Sequence, residues 1–97
     1  MRVLEKSIEQ AVLAWFRRLW PLVPITKMNG MGMRSWPDRC FWIPGGKPFL
    51  IEFKRLGAKQ TPLQVITMER LIKQGYDVEV HDTIEGAKAA LKRRMAA

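Results

Sequence analysis

A pair of apolar segments joined by a glycine turn limits the fold of this chain more than any other feature. Residues 39–43 and 48–54 each have the length and the aromatic and branched content of a strand. Gly45 and Gly46 lie between them, and glycine adopts the backbone angles that tight hairpin turns require. These segments therefore predict an antiparallel β-hairpin.

Ionisable residues stand at the start of this hairpin and near its end. Asp38 precedes the first segment, and Glu52 and Lys54 lie in the second. Because alternate side chains of a strand share a face, Glu52 and Lys54 are predicted to point the same way, opposite to Phe53. A carboxylate and an amine on an otherwise apolar strand require an explanation. The most specific explanation is a divalent-metal site that cuts nucleic acid.

Periodicity and capping signals predict the other elements. Thr61 and Pro62 are typical of an N-cap and a first helical position, and Gly75 is a typical helix stop. The chain predicts, in order, a helix over residues 4–19, a strand over 23–28, a loop over 29–35, the hairpin, a helix over 61–74, a strand over 76–81 and a helix from about residue 82. This order is typical of an α/β domain with a mixed sheet flanked by helices.

Apolar residues at helical spacing indicate which helix faces are buried. The inward positions are predicted to be Leu4, Ile8, Ala11, Val12, Trp15, Phe16 and Leu19 in the first helix, Met68, Leu71 and Ile72 beside Gln64 in the second, and Ile84, Ala87 and Leu91 in the last.

The charge of the chain favours a polyanionic partner. Its 97 residues, enough for a single domain over 1–97 with a modest core, carry a formal net charge of +8. Such an excess favours nucleic acid over membrane. A solubilising surface is the alternative, because charge alone classifies proteins weakly.

The scarcity of cysteine and histidine restricts the metal chemistry. One cysteine, Cys40, excludes an internal disulfide and a cysteine-based zinc cluster, and one histidine, His81, cannot build a histidine site. A metal would be held by oxygen, which indicates a hard ion such as Mg²⁺. Glu5 and Glu9 interrupt any signal-peptide pattern, and no apolar run is long enough to span a membrane. A reduced, cytoplasmic setting is expected.

The acidic residues of the hairpin suit phosphodiester hydrolysis. A divalent metal lowers the pKa of water and polarises a phosphoryl group. Asp38 and Glu52 supply two carboxylates, and the backbone carbonyl of Phe53 adds a neutral oxygen. Lys54 can place a positive charge beside the attacking water or the transition-state oxyanion.

These residues resemble the PD-(D/E)xK nuclease superfamily. Pro37-Asp38 matches its first half, and Glu52-Phe53-Lys54 matches its second. The wider pattern is similar to the virus-type replication-repair nuclease (VRR-NUC) family, over about residues 5–91. That pattern is carried by Glu9, the glycine loop at 30–35, Trp36-Pro37-Asp38, Glu52-Phe53-Lys54, Gln64 and the closing strand at 75–80.

The resemblance implies a fold, an activity and a site. The fold is a restriction-endonuclease-like αβββαβ core, and the activity is a structure-specific DNA endonuclease dependent on Mg²⁺ or Mn²⁺. The implied substrate is branched DNA such as Holliday junctions, cut by a homodimer without an organic cofactor, in the bacterial host cytoplasm if the protein is phage-encoded. The implied catalytic residues are Glu9, Asp38, Glu52, Lys54 and Gln64.

Several of these assignments have structural alternatives. Glu5 and Glu9 share one helix face, and Glu9 is preferred because apolar residues follow it at the spacing seen in archaeal junction resolvases. Glu52 and Lys54 can instead be an exposed pair on an edge strand. Gln64 fits a capping box with Thr61, a role compatible with one in the site. Asp38, taken alone, fits a turn.

Basic and aromatic residues near the site are candidates for contact with DNA. They are Lys27, Arg34, Ser35, Trp36, Arg39, Arg55 and Lys59. Trp36 either stacks on an exposed base or packs beside Pro37. The main alternative function is a basic DNA-binding module that does not cut, and a subunit-interaction domain is a third.

Overall fold

A four-stranded mixed sheet with helices on both faces forms this protein in a computed structural model. The structure describes residues 4–30 and 32–97. The elements follow in the order α1 (Glu5–Leu19), β1 (Ile25–Lys27), β2 (Arg39–Ile43), β3 (Lys47–Phe53), α2 (Pro62–Lys73), β4 (Asp77–His81) and α3 (Ile84–Ala96). The predicted α/β class with a mixed sheet is confirmed.

The sheet has the strand order β1-β2-β3-β4. β1, β2 and β3 pair antiparallel, and β4 joins β3 in parallel after the α2 crossover. Gly45 and Gly46 turn the β2–β3 hairpin with φ of 89° and 71°, a backbone region that other residues rarely adopt. Because β3 lies inside the sheet, the edge-strand alternative for Glu52 and Lys54 is wrong.

The main core lies between one sheet face and the helices α1 and α3. Phe49, Ile51 and Phe53 alternate along β3 toward this side and are fully buried. Phe41 on β2 meets Phe16 of α1 with ring centroids 5.0 Å apart, a T-shaped contact. Burial on this side therefore sets the register of the sheet, since a one-residue slip would expose the whole aromatic row.

The opposite face carries a smaller core beneath α2. Cys40, Leu50 and Val78 are buried there, and Met68 and Leu71 of α2 pack against them. The Cys40 thiol is free and buried in this layer. No side chain of α2 is itself fully buried. This layer is held by much less apolar contact than the α1–α3 side.

The start of α2 has the capping box that the sequence predicts. The Thr61 hydroxyl accepts from the Gln64 backbone N–H at 3.2 Å, and the Gln64 side chain accepts from the Thr61 N–H at 2.9 Å. Pro62 occupies the first turn, and Gly75 ends the helix with φ of 92°. These contacts fix the direction in which the Gln64 side chain leaves the helix.

Some predicted boundaries are wrong. The strand expected over 23–28 is limited to Ile25–Lys27, because the Val23 N–H bonds to the Trp20 carbonyl in a turn and Pro24 has no N–H. The strands expected over 48–54 and 76–81 are Lys47–Phe53 and Asp77–His81. Met31, in the predicted glycine loop, lies outside the described residues.

Some predicted inward positions are also wrong. Leu4 and Leu19, at the two ends of the α1 stripe, are exposed, and so is Ile72 on α2. Leu13, which falls outside that stripe, is buried. Within the described residues, no helix is long and apolar enough to cross a membrane.

Candidate active site

Three charged side chains are buried on the sheet face that α2 covers. Asp38, Glu52 and Lys54 are 8%, 2% and 8% exposed, and they are the buried charged residues of the described chain. Burying charge is costly unless the charges are paired and hydrogen-bonded. Buried ionisable groups gathered in one place are therefore candidates for function.

The Asp38 carboxylate completes the end of the β2–β3 ladder. The last paired residues are Arg39 and Ile51, so Phe53 extends beyond the ladder. The Phe53 N–H donates to Asp38 Oδ2 at 2.6 Å, and the Asn29 side-chain amide donates to Asp38 Oδ1. Both oxygens of Asp38 are thereby held in a fixed orientation.

The Phe53 carbonyl faces the same side as its N–H. In an extended strand the N–H and the carbonyl of one residue point toward the same neighbouring strand. Because the N–H points at Asp38 and the next N–H, that of Lys54, points away to the His81 carbonyl at 2.9 Å, the Phe53 carbonyl lies on the Asp38 side. This geometry adds a neutral oxygen to the two carboxylates.

Asp38 is harder to ionise than an ordinary carboxyl group. Burial raises the pKa of Asp38 to about 6, against the lowering effect of the Phe53 N–H, and the negative charges of Glu9, Glu5 and Glu52 add to the rise. A positive charge near Asp38 would lower this pKa and favour the carboxylate.

Glu52 is the most deeply buried of the three. Burial raises its pKa, while a nearby Gln60 amide and the Lys54 ammonium act in the opposite direction. Glu52 Oε2 has no hydrogen-bond partner and stands 3.9 Å from Lys54 Nζ. An acceptor left without a donor in the interior is costly, and it is a suitable ligand for a cation.

Lys54 is oriented by the first turn of α2. Its Nζ donates to Gln64 Oε1 at 2.8 Å, and the same oxygen accepts the Thr61 N–H of the capping box. The cap and the contact with the lysine therefore coexist in one side chain. The structure brings Asp38, Glu52, Lys54 and Gln64 together.

A cleft of about 570 Å³ opens beside Asp38, between the start of α1 and the start of β2. Glu9 lines it but is bound to Arg39, with Glu9 Oε2 2.7 Å from Arg39 Nε. Glu5 also lines it, is exposed, and raises the pKa of both Asp38 and Glu52. Sequence spacing favours Glu9 over Glu5 as the site acid of α1, but it does not reveal the ion pair of Glu9 with Arg39.

The predicted DNA-contact residues divide into two groups. Lys27, Arg39 and Arg55 line the cleft with Asp38. The others do not line it: Ser35 accepts from Thr67 on α2, Trp36 lines an apolar cavity on the α2 side, and Arg34 and Lys59 are exposed. The position of Trp36 favours packing over base stacking.

Asn29 is the site residue that sequence reasoning missed. It follows β1, lines the cleft and contacts Asp38. Its only sequence signal is the following Gly30, which indicates a turn and not a role in a site.

The acids do not form a preformed metal cage. Within residues 4–30 and 32–97, no three carboxylate, thiol or imidazole side chains are close enough together to hold an ion. Two carboxylates and a backbone carbonyl are the oxygen donors that this site presents.

Comparison with known proteins identifies similar sequences and folds. Residues 1–83 match the model of the VRR-NUC domain family. "Putative nuclease p44" of Acyrthosiphon pisum secondary endosymbiont phage 1 is 34% identical over 84 residues, which cover 86% of this chain and 88% of that protein.

Two solved structures share the fold. One, described as a VRR_NUC domain, superposes with a TM-score of 0.76 at 22% identity, covering 91% of this chain and 94% of its own. The other, a VRR_NUC domain protein, gives 0.78 at 21% identity, covering 99% of this chain and 91% of its own. The resemblance predicted from sequence is confirmed.

Removing the charge of Asp38 should stabilise the protein at pH 7 in metal-free buffer. The folded-state pKa of Asp38, about 6, lies above the ordinary value for an aspartate. Protonation of Asp38 therefore contributes its full share to the free energy of unfolding below about pH 4, and this contribution is lost as pH rises through about 6. Asp38→Asn should therefore unfold at higher urea concentration than wild type at pH 7, by on the order of 1 kcal/mol or more, with a smaller gain at pH 4.

Glu79 provides the control for this comparison. Burial would raise its pKa, but hydrogen bonds from His81 and Arg94 lower it overall. Glu79→Gln should therefore lose stability at pH 7 and lose less as pH falls toward 4. If Asp38→Asn were less stable than wild type at pH 7, the raised pKa of Asp38 would be wrong.

Proposed function

The chain belongs to the VRR-NUC domain family and is therefore a nuclease domain, and from that premise we propose that it is a metal-dependent endonuclease that cuts branched DNA. One observation carries the proposal: two carboxylates and an ammonium group are buried together, and one of them, Asp38, lines a cleft that also carries Lys27, Arg39 and Arg55. In this proposal residues 1–97 act as one nuclease domain.

The donors at the site fit Mg²⁺ or Mn²⁺. Mg²⁺ typically takes one or two carboxylates and completes its shell with waters and substrate phosphate oxygens. Asp38, Glu52 and the Phe53 carbonyl would hold the ion, and the partnerless Glu52 Oε2 is the atom that most needs a cation. When bound, the ion lowers the pKa of water and polarises the phosphoryl group.

The chain's own groups supply the other requirements of hydrolysis. Water forms a new bond to phosphorus and releases a proton to solvent, while the bond to one ester oxygen breaks and that oxygen takes up a proton from solvent. Negative charge grows on the phosphoryl oxygens during this step. Lys54, fixed by Gln64 at 2.8 Å, presents an ammonium group to the water or to that charge. Gln64 acts as a positioning residue for Lys54. Lys27 and Arg55 contact the phosphates that flank the scissile bond.

We assign the assisting acid of α1 to Glu5. Glu9 is held in an ion pair with Arg39 at 2.7 Å, which joins α1 to the start of β2, although its charge still acts on Asp38. Glu5 lines the same cleft, and its charge acts on both metal-binding carboxylates. Glu9 acts on Asp38 alone, so Glu5 is the α1 acid whose charge would help to attract a cation to both carboxylates.

The α2 side of the sheet supports a homodimer. Trp42 and Tyr76 are 44% and 51% exposed there, and they line an apolar cavity of about 340 Å³ with Leu50 and Leu71. Contiguous exposed apolar surface often marks a site of protein–protein contact. A second copy covering this face would set two active sites at a fixed separation, as the paired cuts of a four-way junction require.

Loss of either the acid or the amine should abolish cutting. Asp38→Ala and Lys54→Ala should each reduce the single-turnover rate on a four-way junction by at least about 100-fold. Wild type should require Mg²⁺ or Mn²⁺ and should prefer the junction to flap, single-stranded and duplex DNA of the same length. Glu85→Ala, an exposed acid on α3, is the control and should cut normally. Tight DNA binding by wild type without cutting in any divalent metal would leave a binding module instead.

The two helix acids should separate activity from stability. Glu5→Gln should lower the cleavage rate at least about 10-fold without loss of stability, because Glu5 is exposed and makes no ion pair in the described residues. Glu9→Gln should lose about 1 kcal/mol of unfolding free energy, because it breaks the pair with Arg39, and should retain more activity than Glu5→Gln. The reverse ranking of cleavage rates would return the role to Glu9.

A charge placed on the apolar face should separate the dimer. Tyr76→Lys should shift the light-scattering mass from two chains to one at micromolar concentration and should slow junction cutting more than binding. Leu22→Lys, at an exposed leucine outside this face, is the matched control and should remain dimeric. A wild-type mass of one chain at every concentration would exclude the homodimer.

A further inference from the structure

Asn29 is tied to Asp38 through both its backbone neighbourhood and its side chain. The Met28 N–H donates to the Asp38 backbone carbonyl at 2.8 Å, which extends the β1–β2 pairing past Lys27. One residue later, the Asn29 amide donates to Asp38 Oδ1. Backbone pairing thus places Asn29 one residue past the position opposite Asp38, within reach of its carboxylate.

The direction of this hydrogen bond follows from the chemistry of the two groups. An ionised carboxylate only accepts, so the nitrogen of the Asn29 amide faces Asp38. The rotation of a carboxyl group about its last bond is otherwise broad. With Asn29 on Oδ1 and the Phe53 N–H on Oδ2 at 2.6 Å, that rotation is fixed from both sides.

The amide carbonyl of Asn29 has no partner of its own. In the described part of the chain, two buried side-chain atoms lack a hydrogen bond, Asn29 Oδ1 and Glu52 Oε2. Both are acceptors, and both belong to residues at the Asp38 site. Buried acceptors without donors are rare in folded proteins, and a cation with its waters satisfies such a group.

We propose that Asn29 is a positioning residue for the metal site: its amide N–H holds Asp38 in the metal-binding orientation, and its carbonyl oxygen is available to the ion's hydration shell. The inference rests on the proposed function, because it requires Asp38 to bind a metal. Groups that orient a metal ligand typically change metal affinity by 10–100-fold when they are removed.

The test is metal binding measured by calorimetry, with Mn²⁺ and Mg²⁺ titrated into the full chain without DNA. Asn29→Ala should bind either ion about 10–100-fold more weakly than wild type. Its melting temperature in EDTA should fall modestly, because the buried Asp38 carboxylate keeps the Phe53 N–H but loses its second donor. Its affinity for junction DNA without metal should equal that of wild type. Asn29→Gln, which keeps the amide donor, should bind metal more tightly than Asn29→Ala.

Two further variants complete the design. Gln10→Ala removes another amide that lines the same cleft, and it should leave metal affinity unchanged. Asn29→Leu keeps nearly the shape of asparagine without its donor, and it replaces the alanine variant if that chain does not fold.

The outcomes separate the two proposals. Wild-type metal affinity in a folded Asn29→Ala or Asn29→Leu variant would overturn the role of Asn29 and leave the nuclease proposal intact. Absence of metal binding in wild type would overturn the proposed metal site itself.

Discussion

The alternation of side chains along β3 is the constraint on which the rest of the structure depends. Phe49, Ile51 and Phe53 fill the α1–α3 core, so the residues between them must face α2. Glu52 and Lys54 are therefore buried on the opposite face by the same register that builds the core. A register shift would exchange the two rows, which makes the position of the charges inseparable from the stability of the sheet.

This arrangement opposes folding at one point to serve chemistry there. The raised pKa of Asp38 and the partnerless Glu52 Oε2 both signal charge held where the protein alone does not stabilise it. The surrounding donors reduce that cost only in part. Gln64 joins the two requirements, because one side-chain oxygen both caps α2 and receives the Lys54 ammonium. Proteins that keep such locally unfavourable interactions typically do so at functional sites.

Much of the fold follows from patterns that are local in the sequence. The hairpin, the α2 capping box and the alternation along β3 each depend on residues close together in the chain, and each is found where the sequence predicts it. The weak element was β1, where Pro24 and the turn at Val23 leave three residues of strand. Helical spacing also fails to predict that Leu4, Leu19 and Ile72, at or near helix ends, are exposed.

The site was less predictable because several of its contacts join distant residues. Asp38, Glu52 and Lys54 are recognisable through their motif, but the ion pair of Glu9 with Arg39 spans 30 residues. The contact of Asn29 with Asp38 depends on the pairing of β1 with β2, and a lone asparagine before glycine predicts only a turn. Glu5 and Glu9 share one helix face, and the sequence does not show that Glu9 is the one in an ion pair. That distinction depends on the neighbours that the fold gives to each acid.

The thin core beneath α2 gives the two sides of the sheet unequal resistance to local unfolding. Opening a segment costs least where few apolar groups are buried, and α2 buries none of its side chains fully. Its amide protons should therefore exchange with solvent by excursions that leave the aromatic core intact. Each excursion would carry Gln64 away from Lys54, so the lysine would gain and lose its anchor on the timescale of helix breathing. A substrate or second subunit resting on α2 would suppress that motion and hold the ammonium group in place.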